Sequence, residues 1–302
     1  MSFSEDVRHE LVERPPPKPC CRAAFLSGLI RQAGSLQVRT AGELAVVLEL
    51  SDTASARMAF SLIREQRGDV DILTYREPRF QHRARVVLRL HGDRSMQLLH
   101  EVGVLSAGLA PLVEPPRRVL GRSCCRGAYL RGVFVAGGSV AAPRRPAHLE
   151  LRVPDMHAAR LLCRVAAQDE LGLAALRRRG HAIAYTKRRE TVRDLLAHIG
   201  AQHAVLSLDE ADVVARTVER VNRLTNCDRA NLGRVSAAAH RQRAAIEQLD
   251  LEALPDPLRQ VARLRLRNPH ASLTELAARA RPPLTKSAVA RRMRRLVSLT
   301  DR

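Results

Sequence analysis

Aromatic side chains are scarce in this sequence: they make up 3% of its 302 residues, and tryptophan is absent. Proteins that hold sugars or single-stranded nucleic acid on stacked rings need more of them, so neither class is expected here. No apolar run approaches about 18 residues, which predicts that no segment spans a membrane. Residues 4–8 lack the basic-then-apolar order of a signal peptide, and we therefore expect a cytoplasmic protein.

Lysine is scarcer still, with only Lys18, Lys187 and Lys286, yet the chain is strongly basic. It has 51 Lys and Arg residues against 31 Asp and Glu residues, a net charge of +20. The excess lies in two segments, residues 117–200 with a net charge of +11 and residues 228–302 with +9. A positive balance of this size predicts a polyanionic partner such as nucleic acid. A basic protein without such a partner is the alternative.

Six cysteines are present, and four of them form two adjacent pairs, Cys20-Cys21 and Cys124-Cys125. Adjacent cysteines do not match the C-x2-C spacing of zinc sites, because neighbouring side chains rarely converge on one metal ion. In a cytoplasmic chain we expect them to be small buried apolar side chains. The sequence therefore predicts neither a metal site nor a cofactor.

The sequence contains an internal repeat. Residues 20–36 read CCRAAFLSGLIRQAGSL and residues 124–140 read CCRGAYLRGVFVAGGSV, and eight of the 17 aligned positions are identical. Chance would give roughly one or two identities in a composition of this kind. Proline-rich segments, residues 15–19 and 111–116, precede the two copies, so the chain is predicted to contain two related halves.

Both halves show the same predicted series of elements, α-β-β-α-β-β-α, with helices that begin at Asp or Ser-Asp caps and strands that alternate weakly. In the first half the predicted elements after the repeated segment are strands Ser35–Thr40 and Glu43–Leu50, helix Asp52–Gln66, strands Val70–Arg76 and Ala84–His91, and helix Asp93–Val102. In the second half they are strands Ser139–Ala142 and His148–Val153, helix Asp155–Glu170, strands Ala174–Arg178 and Ala182–Lys187, and helix Glu190–Ile199. The predicted fold is α+β.

The repeated segments resemble the nine-residue motif of the LAGLIDADG homing endonucleases, at residues 26–34 and 130–138. In that family the two motif helices pack against each other and saddle-shaped sheets lie on DNA. Gly28 and Gly132 would let the two helix backbones approach closely.

The endonucleases carry an acid at the eighth motif position of each copy, where the two carboxylates hold metal ions for hydrolysis. This sequence has Ala33 and Gly137 there. The neighbourhood offers no replacement, since no Asp or Glu occurs in residues 14–42 or 115–149. The resemblance therefore implies the fold without the activity, and no catalytic residue is expected.

The C-terminal segment reads as helices only. A long helix, Ala230–Leu249, precedes one introduced by Pro255 and Pro257, with Leu258, Val261 and Leu264 at core spacing. A third helix begins at Ser272, which forms a capping box with Glu275, and has a short apolar face of Leu273, Leu276, Ala277 and Ala280. Residues 281–283 break it, and a fourth helix runs from about Thr285 to Ser298. This order is typical of a helix-turn-helix.

The sequence therefore predicts four segments. Residues 1–113 form the first LAGLIDADG-like repeat and residues 114–203 the second, residues 204–227 form a helical linker, and residues 228–302 form a helix-turn-helix domain.

The fourth helix has two distinct faces at 100° per residue. Val289, Met293 and Leu296 form a stripe predicted to be buried. The opposite, basic face is predicted to contact bases and phosphates of double-stranded DNA, through Thr285, Lys286, Ser287, Arg291, Arg294 and Arg295. The +11 segment offers further basic residues, and we expect accessory DNA contacts from Arg144, Arg145, Lys187 and Arg188. A solvated basic face without a ligand is the alternative.

Two LAGLIDADG-like repeats followed by a helix-turn-helix resemble the WhiA family of bacterial regulators. The resemblance rests on residues 124–140, on NRLTNCDRAN at 222–231 and on ASLTELAARARPPLTKSAVARRMRRL at 271–296. It implies a sequence-specific transcription factor linked to cell division, chromosome segregation and, in actinomycetes, sporulation septation. It also implies a nucleoid-associated protein that acts with the transcription machinery and, in actinomycetes, with an iron–sulfur protein of the WhiB type. Two other functions stay open: a protein-interaction adaptor, and a residual metal-dependent nuclease.

Overall fold

The structure is a computed structural model that describes residues 2–38, 43–76, 84–178 and 180–300. The chain forms two compact units, Met1–Val214 and Ala215–Arg302. None of the described helices combines the length and the apolar character that crossing a membrane requires.

The first unit contains both predicted repeats in the predicted order. The first repeat consists of α2 (Pro19–Ala33), β1 (Gly34–Val38), β2 (Leu44–Leu50), α3 (Thr53–Glu65), β3 (Val70–Arg76), β4 (Ala84–His91) and α4 (Gly92–Glu101). The second consists of α6 (Ser123–Gly137), β5 (Gly138–Val140), β6 (Leu149–Val153), α7 (Met156–Ala167), β7 (Ala174–Arg178), β8 (His181–Thr186) and α8 (Arg189–Ile199). The predicted α+β fold is confirmed. The predicted caps Asp52 and Asp155 each accept a backbone hydrogen bond at the start of α3 and α7. The predicted end of the first strand, Thr40, lies outside the described residues.

Each repeat folds into a four-stranded antiparallel sheet with the same strand order, β1-β2-β4-β3 and β5-β6-β8-β7. Side chains alternate between the two faces, as a period of two requires. In β6, Leu149, Leu151 and Val153 are buried, whereas Glu150 is half-buried and Arg152 is exposed. One face of the sheet therefore covers the core, and the other face is open to solvent.

The two motif helices, α2 and α6, pack against each other with unusually close backbones. A Cβ atom added to Gly28 would lie 2.2 Å from the carbonyl oxygen of Tyr129, and one added to Gly132 would lie 2.2 Å from that of Phe25. No side chain fits in either space. The prediction that these two glycines permit close approach of the helices is confirmed.

Two helices were not predicted from the sequence, α1 (Phe3–Glu13) and the short α5 (Arg117–Leu120). α1 is attached to the second repeat by backbone-directed hydrogen bonds. Arg131 Nε donates to the carbonyl of Leu11 at 2.9 Å, and Arg8 Nη1 donates to the carbonyl of Gly138 at 2.8 Å. Burial lowers the pKa of the Arg131 guanidinium. These contacts join residues more than 100 positions apart, so no local pattern predicts them.

The four paired cysteines correct one sequence-based expectation. Cys20 and Cys21 lie in the first turn of α2, and Cys124 and Cys125 lie in the first turn of α6. The four sulfur atoms lie within 4.8 Å of one another, and Cys124 is exposed. The prediction that the pairs would not converge is wrong, because the close crossing of α2 and α6 brings two first turns together.

The C-terminal helices are α9 (Gln202–Glu247), α10 (Asp256–Arg267), α11 (Leu273–Arg279) and α12 (Lys286–Thr300). The sequence predicted a helical linker over residues 204–227 and a separate helix from Ala230, but α9 runs through both. No proline occurs between Gln202 and Pro255, so nothing in this segment forces the helix to end earlier. The second core packs around the side chains of Val261, Leu276, Val289, Met293 and Leu296.

Candidate nucleic-acid interface

Helix α11 begins at a capping box, as predicted. The hydroxyl oxygen of Ser272 accepts a hydrogen bond from the backbone N–H of Glu275 at 3.2 Å, and the Glu275 carboxylate accepts one from the backbone N–H of Ser272 at 2.7 Å. The hydrogen bond from the Ser272 backbone holds the pKa of Glu275 below its usual value. Both partners satisfy backbone groups that a helix start leaves free, so this end of α11 is well defined.

The connection between α11 and α12 is fixed by two hydrogen bonds. The backbone N–H of Leu284 donates to the carbonyl of Ala277 at 3.0 Å, which folds the turn back onto α11. From α10, the side-chain amide of Gln260 donates to the carbonyl of Arg281 at 2.6 Å. The turn is therefore held from both sides, and it sets the direction in which α12 leaves.

Helix α12 has a buried face and a basic face, as its sequence predicts. Val289, Met293 and Leu296 are at most 1% exposed, which confirms the predicted stripe. The basic residues on the other face are exposed to solvent: Lys286, Arg291, Arg294 and Arg295. Within the described part of the chain, no acidic side chain forms an ion pair with any of the four. Their positive charge is therefore available to a ligand.

The first turn of α12 is capped by Thr285. Its hydroxyl oxygen accepts a hydrogen bond from the backbone N–H of Ala288 at 3.2 Å and lies 3.0 Å from the hydroxyl oxygen of Ser287. Thr285 was predicted as a DNA contact, and in the structure its oxygen is used to begin the helix. Ser287 is exposed beside it, so the two hydroxyl groups and Lys286 mark the N-terminal end of the basic face.

Two further residues lie beside this end of α12 and were missed in the sequence. Arg234 of α9 and Thr274 of α11 line the same depression as Lys286. Arg234 belongs to the basic segment 228–302, but its place on a long polar helix gave no indication that it approaches α12. A DNA phosphate or base edge bound at the start of α12 would lie near the side chains of Arg234, Thr274 and Lys286.

The buried side chain of Arg265 holds the loop that precedes α11. It is 2% exposed, and its Nη1 donates to the carbonyl of Ala271 at 2.5 Å in the loop before α11. Burial lowers the pKa of its guanidinium. An arginine in a strongly basic segment is expected to be exposed to solvent, so the sequence did not predict that Arg265 is buried.

A second basic surface lies at one end of the second sheet. Its members are the accessory residues predicted from the sequence, Arg144, Arg145, Lys187 and Arg188. The first two lie in the turn between β5 and β6, and the last two directly follow β8. These segments meet at one sheet end because Leu149 of β6 pairs with Thr186 of β8. All four side chains are exposed. We call this set the sheet-end cluster.

Other arginines of the second repeat lie away from the sheet-end cluster. Arg178 pairs with His181 at the opposite end of the sheet, next to Arg177, and its guanidinium lies 4.0 Å from the carboxylate of Glu150. Arg179 lies outside the described residues. The backbone positions of Arg177 and Arg178 thus lie at the sheet end opposite to the sheet-end cluster.

The motif positions that carry acids in homing endonucleases lie at the C-terminal ends of α2 and α6. A Cβ added to Gly137 would lie 2.9 Å from the amide nitrogen of Gln32, so an amide borders this position. A cavity of about 460 Å³ adjoins this end and includes Gln32 and Asp155 in its lining. The carboxylate of Asp155 accepts a hydrogen bond from the backbone N–H of Ala158 at 2.8 Å and so caps α7.

Comparison with protein families finds three consecutive matches along the chain. Residues 19–105 match the WhiA N-terminal LAGLIDADG-like domain, residues 126–218 the WhiA LAGLIDADG-like domain, and residues 221–300 the WhiA C-terminal HTH domain. A probable cell division protein WhiA from Heliobacterium modesticaldum is 38% identical over 309 residues, which cover 100% of this chain and 96% of the relative. The chain belongs to the WhiA family.

Other WhiA proteins resemble this one to a similar degree. The probable cell division protein WhiA of Desulforudis audaxviator is 38% identical over 308 residues, covering 100% of this chain and 97% of the relative. The crystal structure of full-length DUF199/WhiA from Thermotoga maritima has the same fold, with a TM-score of 0.60 at 24% identity, and covers 100% of this chain and 98% of that one. The WhiA fold thus extends over both repeats and the C-terminal helices.

Proposed function

We propose that this WhiA protein is a sequence-specific transcription regulator that acts in the cytoplasm on nucleoid DNA. Helix α12 enters the major groove of duplex DNA with its N-terminal end, as recognition helices of this motif do. Arg291 and Arg294 contact base edges or phosphates, and Thr285, Lys286, Ser287 and Arg295 complete the interface. The two homing-endonuclease-like repeats form a scaffold that has no hydrolytic activity.

The single observation that carries this proposal is the division of α12 into two faces. Its apolar stripe is buried, and its basic side chains are exposed without acidic partners in the described part of the chain. A basic face that served only for solubility would tolerate pairing with nearby carboxylates. Exposed guanidinium groups on a helix whose other face is fixed can instead donate paired hydrogen bonds to guanine or to phosphate.

We infer the cellular role of this protein from its membership of the WhiA family. Relatives carry the name probable cell division protein WhiA, and we place the target genes of this regulator in cell division, chromosome segregation and, in sporulating actinomycetes, septation. A WhiB-type iron–sulfur protein and RNA polymerase are the proposed partners. Affinity purification from cells, with and without nuclease treatment, tests whether either is held by the protein itself or only through DNA.

Selection of bound duplexes from a random DNA library tests sequence-specific binding. We expect the wild-type protein to enrich one motif, and the double variant Arg291→Ala/Arg294→Ala to lose that enrichment. Arg243→Ala is the matched control, because it removes an arginine that is already paired with Glu247 at 2.7 Å. Equal retention of all sequences by the wild type would support the adaptor alternative, in which the basic surface binds an acidic protein.

Incubation of plasmid DNA with the protein and Mg²⁺ or Mn²⁺ tests the nuclease alternative. The eighth motif positions are Ala33 and Gly137, so the two carboxylates that the family uses to hold metal ions are missing. We expect no site-specific cleavage. Specific cleavage that disappears on chelation would contradict the proposed absence of catalysis.

A further inference from the structure

The four paired cysteines lie at the opposite end of α2 and α6 from the positions where homing endonucleases hold metal ions. Cys20 and Ala33 are 13 positions apart in one helix, which separates the two ends by about 20 Å at a rise of about 1.5 Å per residue. The cysteine cluster therefore lies apart from those positions, and its convergence needs an explanation of its own.

The geometry of the cluster fits one tetrahedral ion. A zinc ion with Zn–S bonds of about 2.3 Å places its four sulfur ligands about 3.8 Å apart. The sulfur atoms are 4.0 Å apart in the pair Cys20-Cys21 and also in the pair Cys124-Cys125, and no two of the four are separated by more than 4.8 Å. An iron–sulfur cluster would spread its thiolates over several iron atoms, so a single ion suits this compact set better.

The helix ends around the cluster favour negative charge. Neither α2 nor α6 has a side-chain hydrogen bond at its N-cap, and neither has an acidic residue in its first turn. The N-terminus of a helix stabilises anions, and thiolates in particular. The cap residues are Lys18 and Arg122, so two cations also border the site. Four thiolates on one divalent ion carry a net charge of −2, which these groups balance.

We propose that this WhiA protein binds one structural zinc ion through Cys20, Cys21, Cys124 and Cys125. The ion ties the first turns of α2 and α6 together and so links the two repeats. Zn²⁺ takes the place of the thiol protons, and up to four protons pass to solvent as the Zn–S bonds form. Cys21 and Cys125 are buried, and Cys124 is exposed, which leaves a path by which the ion enters.

Metal content of the purified protein tests the proposal. The full chain is prepared under anaerobic reducing conditions, loaded with Zn²⁺, desalted and measured by plasma mass spectrometry. We expect about one zinc ion per chain in the wild type and less than a tenth of that in Cys20→Ser/Cys124→Ser. Cys163→Ser is the matched control, because this half-buried cysteine of α7 lies outside the cluster, and it should bind zinc as the wild type does.

Two readouts keep the test decisive if the serine variant folds poorly. Cobalt substitution of the wild-type protein should give the intense thiolate charge-transfer absorption of a tetrahedral sulfur site. A chelator should lower the thermal midpoint of the wild type by several degrees and leave that of a folded cysteine variant unchanged. A wild-type protein without zinc, zinc retained by the serine variant, or a cobalt spectrum without thiolate bands would each overturn the proposal.

Discussion

Arg126 and Asp169 form a two-point ion pair inside the second repeat. Arg126 Nε donates to one carboxylate oxygen at 2.7 Å and Nη2 donates to the other at 2.5 Å, and both side chains are only 10% exposed. The pair joins α6 to the segment that follows α7. The hydrogen bonds from Arg126 hold the pKa of the Asp169 carboxyl below its usual range.

Replacing Asp169 by asparagine should destabilise the first unit. The substitution leaves the Arg126 guanidinium buried without a counter-charge, which costs about 3 kcal/mol of the free energy of unfolding. Asp194→Asn is the control, because this carboxylate is 57% exposed and lies 3.7 Å from Arg193, so about 0–1 kcal/mol is expected. Urea unfolding followed by circular dichroism measures both. Equal urea midpoints for the two variants would show that the buried ion pair does not contribute to the free energy of unfolding.

The same pair predicts how stability depends on pH. Because the folded state lowers the pKa of Asp169, its contribution is complete above the ordinary aspartate value of about 3.9 and is lost as the pH falls below that value. The difference in unfolding free energy between wild type and Asp169→Asn should therefore shrink as the pH falls from about 4 to more acidic values. A difference that grows over that acidic range would contradict this assignment.

The crossing of α2 and α6 predicts that neither central glycine tolerates a methyl group. In Gly28→Ala the new Cβ would lie 2.2 Å from a backbone carbonyl oxygen, so the helices must separate, at a cost of about 1–3 kcal/mol. Gly132→Ala should behave alike. Gly233→Ala is the control, since nothing lies within 4 Å of that position in α9, and alanine should raise helix stability there by up to about 1 kcal/mol. Thermal unfolding separates the two outcomes.

Sequence patterns predicted much of this molecule where the signal is local. The Asp52 and Asp155 caps, the apolar stripe of α12 and the glycines of the repeated motif each act within one helix or between two helices of known motif. The failures involve residues that are distant in sequence. Helix α1 is held by Arg131, 120 positions beyond Leu11, and the cysteine pairs meet only because two helices cross. Arg265 is buried in a segment whose composition indicates a solvated surface.

Arg291→Lys tests whether Arg291 recognises a base or contributes only its positive charge to DNA binding. Lysine keeps the positive charge but cannot make the paired hydrogen bonds of a guanidinium. If Arg291 contacts a guanine, affinity for the selected motif falls by about 1–3 kcal/mol, while the salt dependence of binding stays unchanged. Fluorescence anisotropy with the selected duplex and a scrambled one measures both quantities. A lysine variant with wild-type specificity would assign Arg291 to a phosphate.

The sheet-end cluster predicts an accessory DNA contact from the second repeat. In Arg144→Glu/Lys187→Glu two exposed cations at the same sheet end are reversed. Each lost phosphate contact should reduce the slope of log affinity against log salt by about 0.9. Arg177→Glu/Arg178→Glu changes the net charge equally, from backbone positions at the opposite end of the same sheet. We expect its slope to match the wild type. If the two double variants change the slope equally, the effect comes from overall charge, and the sheet end makes no specific contact with DNA.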